Sequence, residues 1–531
     1  MIRHLVKKTL SAVVLVGLVA GMTSCKSKSA QATTSGDSSQ PLKLTAMCIS
    51  WGTEPPKNGV YEQDFEKRTN TTLDVTWVPY QSYKDKANLL MASNNVPDVM
   101  QVMAQNGNVF YPQVVQAVKQ GIFQDLTPYL RTNGYIKKNP VLKNWPDIAW
   151  EACSLGGKIY AMPRQAQPVA SNAGVIVRKD IMQKAGIATE PTTMDELGDF
   201  IIRMSKAGNM YGLQFSRPDF DSTDVKAFAV AFTGVQDWGV DGKGNFFYQS
   251  FMPEYDNFLT WMKKLYDVKA IDPEFTLNQT DNSDFTKGKS ATKMNTWWNW
   301  DQSADGVSKK FFNANVTDEA RVWCLLPPKG PKAHAVGITA GILQYPLLAS
   351  SKVSKAEMPR LIEALNGHTD NDFQNFLTHG YPDQDYTLAD GKYTVSADQQ
   401  KHKNANAVGT WYMLFLERDP DYITDKFGNA NASAENIARA KEIASAADKD
   451  YKEEKISMPQ LGIDSSTYDS KWSTLTKDLN DNRAKVVMGK MSLSQWDAYV
   501  KGITESSDYK AILKEYKDAS AAAKKAEKET K

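Results

Sequence analysis

Between Leu42 and Ala104 the hydrophobic period switches repeatedly, and this alternation restricts the architecture more than any other feature of the chain. "LKLTAMCISW" reads as a strand ending at Trp51, and "GVYEQDFEKRTN" has helical spacing with a polar face. "TTLDVTWVPY" returns to β-branched and aromatic residues, "YKDKANLLMASNN" is helical again, and "PDVMQVMA" is a short apolar run. Alternating strands and helices predict an α/β unit with a mostly parallel sheet, and ligands of such sheets lie at the carboxyl ends of the strands. Trp51 and Gln105 therefore belong to a rim.

At 531 residues the chain is too long for one ordinary core, which predicts two lobes. With 63 Lys and Arg against 61 Asp and Glu, the formal net charge is +2, so the chain lacks the basic footprint of a nucleic-acid binder. A neutral or mixed ligand fits better. Beyond Cys25, the cysteines Cys48, Cys153 and Cys324 are odd in number, form no CxxC and have no histidine at ligand spacing, so they read as free, mostly buried thiols.

The first residues are not part of this fold. "MIRHLVKK" is a basic segment, "TLSAVVLVGLVAG" is an apolar run too short for a comfortable membrane span, and "MTSC" follows at once. The combination resembles a bacterial lipoprotein signal, with Met22 where Leu is usual. The resemblance implies acylation of Cys25, which becomes the mature N-terminus at the outer face of the cell membrane; an ordinary secretory signal is the alternative. Residues 26–40, rich in Ser, Thr and Lys, read as a flexible tether. No later apolar run approaches a membrane span, which leaves the lipid as the anchor.

Further along, "FEKRTNTTLDV", "LLMASNNVPDVMQV", "GIFQDLTPYL", "GGKIYAMPR", "VIVRKDIMQKAGI", "PTTMDELGDFI", "MKKLYDVKAIDPEF", "FTKGKSATKM" and "KVVMGKMSLSQWDAYV" follow one another between Leu42 and Val500. In that order they resemble the landmarks of extracellular solute-binding proteins (family 1) of carbohydrate ABC importers, in the large lipoprotein branch related to alginate-oligosaccharide binders. The resemblance implies a two-lobed, type II periplasmic-binding-protein-like α/β fold with a hinge. The chain then crosses between lobes near "PRQAQPVASNAG" and returns near "VGITAGILQYP". The expected division is 1–25 signal, 26–40 tether, 41–168 first lobe, 169–338 second lobe, 339–385 first lobe again, and 386–531 second lobe with the C-terminal helices.

Relatives of this branch often carry a calcium loop after the helix that follows "PTTMDEL". Here the stretch is "MSKAGNMYGLQF", without acidic ligands, so no calcium is expected there. "DKFGNANASAE" supplies Asp425, Asn429, Asn431 and Glu435, but not at the spacing of the twelve-residue calcium loop, and reads as a solvated loop leading into a helix. No metal or other cofactor is expected. The chain lacks GxSxG, HExxH and GxxxxGK[ST], and no two of His334, His368, His379 and His402 are four residues apart. A glycosidase pair of carboxylates about 5–10 Å apart leaves no such signature. An enzyme acting on carbohydrate therefore stays open as the rival reading.

The positive signal is aromatic. Sugars present weakly polar C–H faces ringed by hydroxyls, and a site for them combines indole or phenol planes with Asn, Gln, Asp or Arg. "TWWNWD" offers both, and the resemblance places a cleft tryptophan in this stretch, with Trp297 and Trp298 preferred and Trp300 divided between cleft and core. Trp411, in "GTWYMLFLERDPDY", is a further cleft candidate whose alternative is core packing beside Met413, Leu414 and Phe415. Arg164 and Gln165 leave "YAMP" at the first crossing, where long polar side chains can meet a ligand. Arg178 reads instead as an ion-pair partner of Asp180, itself placed as a helix cap.

These readings combine into a monomeric, lipid-anchored receptor that closes on an oligosaccharide and hands it to ABC permease subunits, with no chemistry of its own. The alternatives are a surface carbohydrate-active lipoprotein and a helical-repeat outer-membrane binder; the early strand-helix alternation argues against the second.

Overall fold

The computed structural model describes residues 40–104, 109–139, 142–164, 169–170, 172–215, 220–277, 284–285, 287–294, 322–340, 345–366, 371–389, 392–411 and 434–530. Along the chain run β1 (Leu42–Ser50), α1 (Val60–Thr69), β2 (Thr71–Pro79), α2 (Tyr80–Ala92), β3 (Val99–Gln101), β4 (Ala161–Met162), β5 (Asn172–Ala173) and β6 (Val175–Arg178). They are followed by α3 (Met194–Gly208), β7 (Tyr211–Leu213), β8 (Ser290–Met294), β9 (Val322–Leu325), β10 (Val336–Gly337), β11 (Leu347–Ala349) and, at the C-terminal end, α4 (Ser507–Thr530).

The first sheet has the order β2-β1-β3-β11-β4. β1 pairs in parallel with β2 from Leu42↔Thr71 to Ser50↔Pro79, and with β3 at Ala46↔Val99. Its sequence explains its place. Leu42 and Leu44 are buried while Lys43 and Thr45 are exposed, and then the run Ala46–Ser50 is buried throughout, the pattern of an inner strand covered on both faces. β11 runs antiparallel to both β3 and β4, so the sheet is parallel with one reversed strand. α1 buries Tyr61 and Phe65 and stops at Asn70, whose left-handed φ of 51° suits a short polar side chain.

A second sheet has the order β9-β6-β8-β7, with β6 antiparallel to β8 and β9, and β8 parallel to β7. α3 covers it and begins with a reciprocal capping box between Thr193 and Glu196. It ends at Asn209, again left-handed, so "MSKAGNMYGLQF" is the end of α3 and the start of β7. Arg178 pairs with Asp180 through Nε at 2.7 Å, but Asp180 lies in the first turn of the short helix Lys179–Lys184 and is not its cap.

Each sheet has its own hydrophobic core. The first contains Ile49, Phe65, Met100 and Leu348, the second Val177, Phe200, Phe258 and Trp496. Between them the chain passes through the two-stranded ribbon β5–β10, which pairs Ala173 with Val336 and Asn172 with Gly337. Gln236 clamps the end of that ribbon, its amide oxygen accepting from Ile338 N–H at 2.7 Å and its amide nitrogen donating to the Ile338 carbonyl at 2.6 Å. The first core also takes in Trp411, Ile443 and Leu461, which fall in the 386–531 stretch assigned above to the second lobe.

Candidate functional site

The parallel strands β1, β2 and β4 all deliver the residue that follows them to one edge of the first sheet. Trp51 follows β1, Tyr80 follows β2, and Arg164 follows β4 by two residues. β11 runs the other way, so the residues before it reach the same edge. Its register, Leu347 opposite Met162, sets Tyr345 beside Arg164 two steps further out. The side chains meet accordingly. Trp51 stacks on Tyr80 with ring centroids 4.2 Å apart and planes 22° apart, and Tyr345 presents an edge to both rings at 6.0 and 6.4 Å. The Arg164 guanidinium lies 5.6 Å from the Tyr345 ring centroid, within cation–π range.

Exposure grades across this group. Trp51 is 53% exposed, Tyr80 half-buried, and Tyr345 and Arg164 buried, Arg164 fully. Arg164 thus acts on the rim from beneath Tyr345, supplying positive charge under an aromatic floor. Behind it the backbone is held tightly. Ile49 N–H donates to Gln101 Oε1 at 2.7 Å, and the Tyr83 hydroxyl lies 2.9 Å from the Met47 carbonyl and 3.0 Å from that of Gln101. Burial pushes the Cys48 thiol far up, with the Arg164 charge pulling the other way, so Cys48 is a neutral, inert thiol. The edge offers stacking surface and a held cation, with no activated nucleophile among these residues.

Of the residues singled out from the sequence, Trp51 and Arg164 come together at this edge. Trp411 does not join them. Its ring is 2% exposed and packs 5.7 Å from Phe65 and edge-on to Trp77 at 5.5 Å, because the turn that carries it folds back onto α1 and β2. That places it in the first core and corrects its reading as a cleft residue. Gln165, Trp297, Trp298 and Trp300 lie outside the described residues, as do Gln105 and Cys25; β8, which ends three residues before Trp297, runs parallel to β7 in the second sheet. Tyr80 and Tyr345 were missed. Tyr80 carried the same signal as Trp51, an aromatic residue closing a strand pattern, whereas Tyr345 reaches the edge through a strand pairing that spans the chain. Among the described residues no group of histidine, cysteine and carboxylate side chains is arranged to hold a metal ion, and no helix is long and apolar enough to cross a membrane.

Comparison with known proteins gives concordant results. The family model described as bacterial extracellular solute-binding protein matches residues 61–359. The polygalacturonan/rhamnogalacturonan-binding protein YtcQ of Bacillus subtilis is 24% identical over 515 residues, covering 95% of this chain and 96% of that protein. Lipoprotein LipO of the same organism is 23% identical over 497 residues, covering 90% and 92%. Among solved structures, the alginate-binding protein AlgQ2 determined without calcium superposes with a TM-score of 0.60 at 16% identity, covering 92% of this chain and 99% of that one. At such identity the last likeness bears on the fold alone, and it is to a two-lobed solute-binding protein.

Proposed function

Since this chain belongs to the bacterial extracellular solute-binding proteins, we propose that it is a receptor that captures an oligosaccharide between its lobes and presents it to the permease subunits of an ABC transporter. The observation that carries this reading is the edge group itself: an exposed indole stacked on a phenol, with a cation fixed below a second phenol. Such a surface suits the weakly polar face and the ring of hydroxyls that a sugar presents. Trp51, with Arg164 held behind Tyr345, forms the first lobe's side of the site, and Trp297 and Trp298, with Gln165 and Trp300, supply the rest. The protein acts without a cofactor and without chemistry of its own, as a monomer held to the outer face of the cell membrane by acylated Cys25.

The full-length likeness to a polygalacturonan/rhamnogalacturonan-binding protein makes pectic fragments the first ligands to try. Thermal melting with galacturonan and rhamnogalacturonan oligosaccharides, beside neutral plant and microbial ones, tests the reading, because a ligand that binds only the native state raises the melting temperature by mass action. Saturable binding with the oligosaccharide recovered intact supports the receptor; new reducing ends after incubation would replace it with a carbohydrate-active enzyme.

A further inference from the structure

α4 is rooted in the second core and reaches across to an element of the first. Tyr509, Ile512 and Tyr516 sit in the second core, while the last turns of the helix reach the hairpin formed by Ser154–Leu155 and Lys158–Ile159, beside the first. Gly157 makes that approach possible. Its φ is +81°, and a Cβ there would lie 2.8 Å from the Ala523 carbonyl oxygen and 3.0 Å from the Ala526 Cβ.

Beside this contact lies a cavity of about 430 Å³, within the range of small-molecule sites. Glu527 of α4 forms part of its wall, and the segment from Arg131 to Glu151 forms the rest, with Lys137, Trp145 and Asp147. Two features set it apart from an ordinary surface hollow. Arg131 Nη1 and Trp145 Nε1 are both buried and have no hydrogen-bond partner among the described residues, and Trp145 as a whole is 6% exposed. A buried donor left unpaired is costly, and an acceptor brought to either atom would relieve that cost. The second feature is the balance of its lining: the carboxylates Asp147, Glu151 and Glu527 are matched in number by the cations Arg131, Lys137 and Lys143, and the indoles of Trp145 and Trp150 stand 6.5 Å apart at 49°. Balanced charge selects neither anion nor cation. Mixed donors and acceptors around indole faces fit a neutral ring bearing several hydroxyls.

We infer that this cavity is a second carbohydrate site, separate from the edge at Trp51, that takes one or two neutral sugar units. Arg131 and Trp145 donate to ring or hydroxyl oxygens, and the carboxylates accept from the hydroxyls. Because Glu527 is carried by a helix rooted in the second core and the other walls belong to the first, occupancy of this site is linked to the arrangement of the two cores, and the linkage is reciprocal.

The test uses the whole protein labelled with nitrogen-15 at tryptophan. The indole N–H resonance missing from Trp145→Phe, a change that keeps an aromatic ring in place, identifies Trp145. On titration with galactose, glucose and rhamnose at millimolar concentration, that resonance is expected to shift saturably with at least one sugar. The shift persists in Trp51→Ala, and Arg131→Gln weakens the affinity about tenfold, the loss of one hydrogen bond to a charged donor. A Trp145 resonance that no sugar moves overturns the inference in the wild-type protein alone, whatever the variants do. So does a shift that vanishes in Trp51→Ala, which would trace it to the edge site, or one that is unaltered in a folded Arg131→Gln.

Discussion

Trp51 rests on Tyr80 with ring centroids 4.2 Å apart, each the first residue after one of two paired parallel strands. Strand pairing alone thus brings together two aromatic residues 29 positions apart in sequence and leaves one indole face toward solvent. A residue 53% exposed contributes little to the core. Trp51→Ala is therefore expected to weaken oligosaccharide binding by about 1–3 kcal/mol, as for an aromatic anchor at a binding surface, with the melting temperature nearly unchanged. Calorimetric titration of the variant, with melting in the absence of ligand, checks both halves.

Trp411 should behave oppositely. Its ring fills space between Phe65 and Trp77, and its indole N–H has no partner among the described residues, so its contribution is packing. Trp411→Ala is expected to cost about 3–5 kcal/mol of stability. Affinity per folded molecule stays close to the wild-type value, as denaturant titration paired with binding measurements would establish.

The contrast between these two tryptophans marks how far the sequence could be read. β1, α1, β2 and α2 were legible because the hydrophobic period switches cleanly at each boundary, and Trp51 was placed by a rule about strand ends that needs no distant information. Arg164 was legible as the residue leaving a strand, but not as a fully buried cation. Its burial depends on Tyr345, brought alongside by the β11–β4 register across more than 180 residues. Trp411 begins an apolar run that suits a cleft or a core equally well. The decision was made by Phe65 and Trp77, whose proximity no local pattern encodes. The second site at Trp145 was invisible for the same reason, since Glu527 closes it from the far end of the chain.

Acid should destabilise the protein partly through His379. Burial, and then the Lys403 ammonium nearby, hold its pKa down to about 3, against about 6.5 when unfolded. Near neutral pH both states are uncharged and the group contributes nothing. As pH falls below about 6.5 the unfolded chain takes up a proton that the native state refuses until about pH 3, so stability is lost across that window. Asp256 and Asp469, both pushed up to about 6 chiefly by burial, act in the opposite sense over part of the same range. The comparison of wild type with His379→Gln isolates the histidine. The wild-type advantage should shrink by about 3 kcal/mol between pH 7 and pH 4, measured by urea denaturation.

Cys25→Ser should move the protein from the membrane fraction to the medium while leaving its melting temperature and ligand affinity unchanged. The acyl chains are the proposed anchor, and the Ser- and Thr-rich stretch from residue 26 to 40 has almost nothing to bury in a core. Fractionation of cells that express the two forms decides it: full membrane retention of the serine variant would end the lipoprotein reading.

The tryptophans of "TWWNWD" yield the sharpest prediction. In sequence they begin three residues after the carboxyl end of β8, which runs parallel to β7 in the second sheet. On the proposed reading, Trp297 and Trp298 form the second lobe's stacking surface and Trp51 answers from the first. Two platforms that grip one sugar chain act as a unit, so their losses should not add. Trp297→Ala and Trp298→Ala are each expected to cost about 1–3 kcal/mol of affinity, and a double variant with Trp51→Ala less than the sum of the singles. Truncating a core indole would instead remove about 3–5 kcal/mol of stability and leave binding per folded molecule intact. Binding and melting of each variant separate the two cases: weak binding with an unchanged melting point supports the platform, and a collapsed melting point with unchanged affinity assigns the stretch to the core.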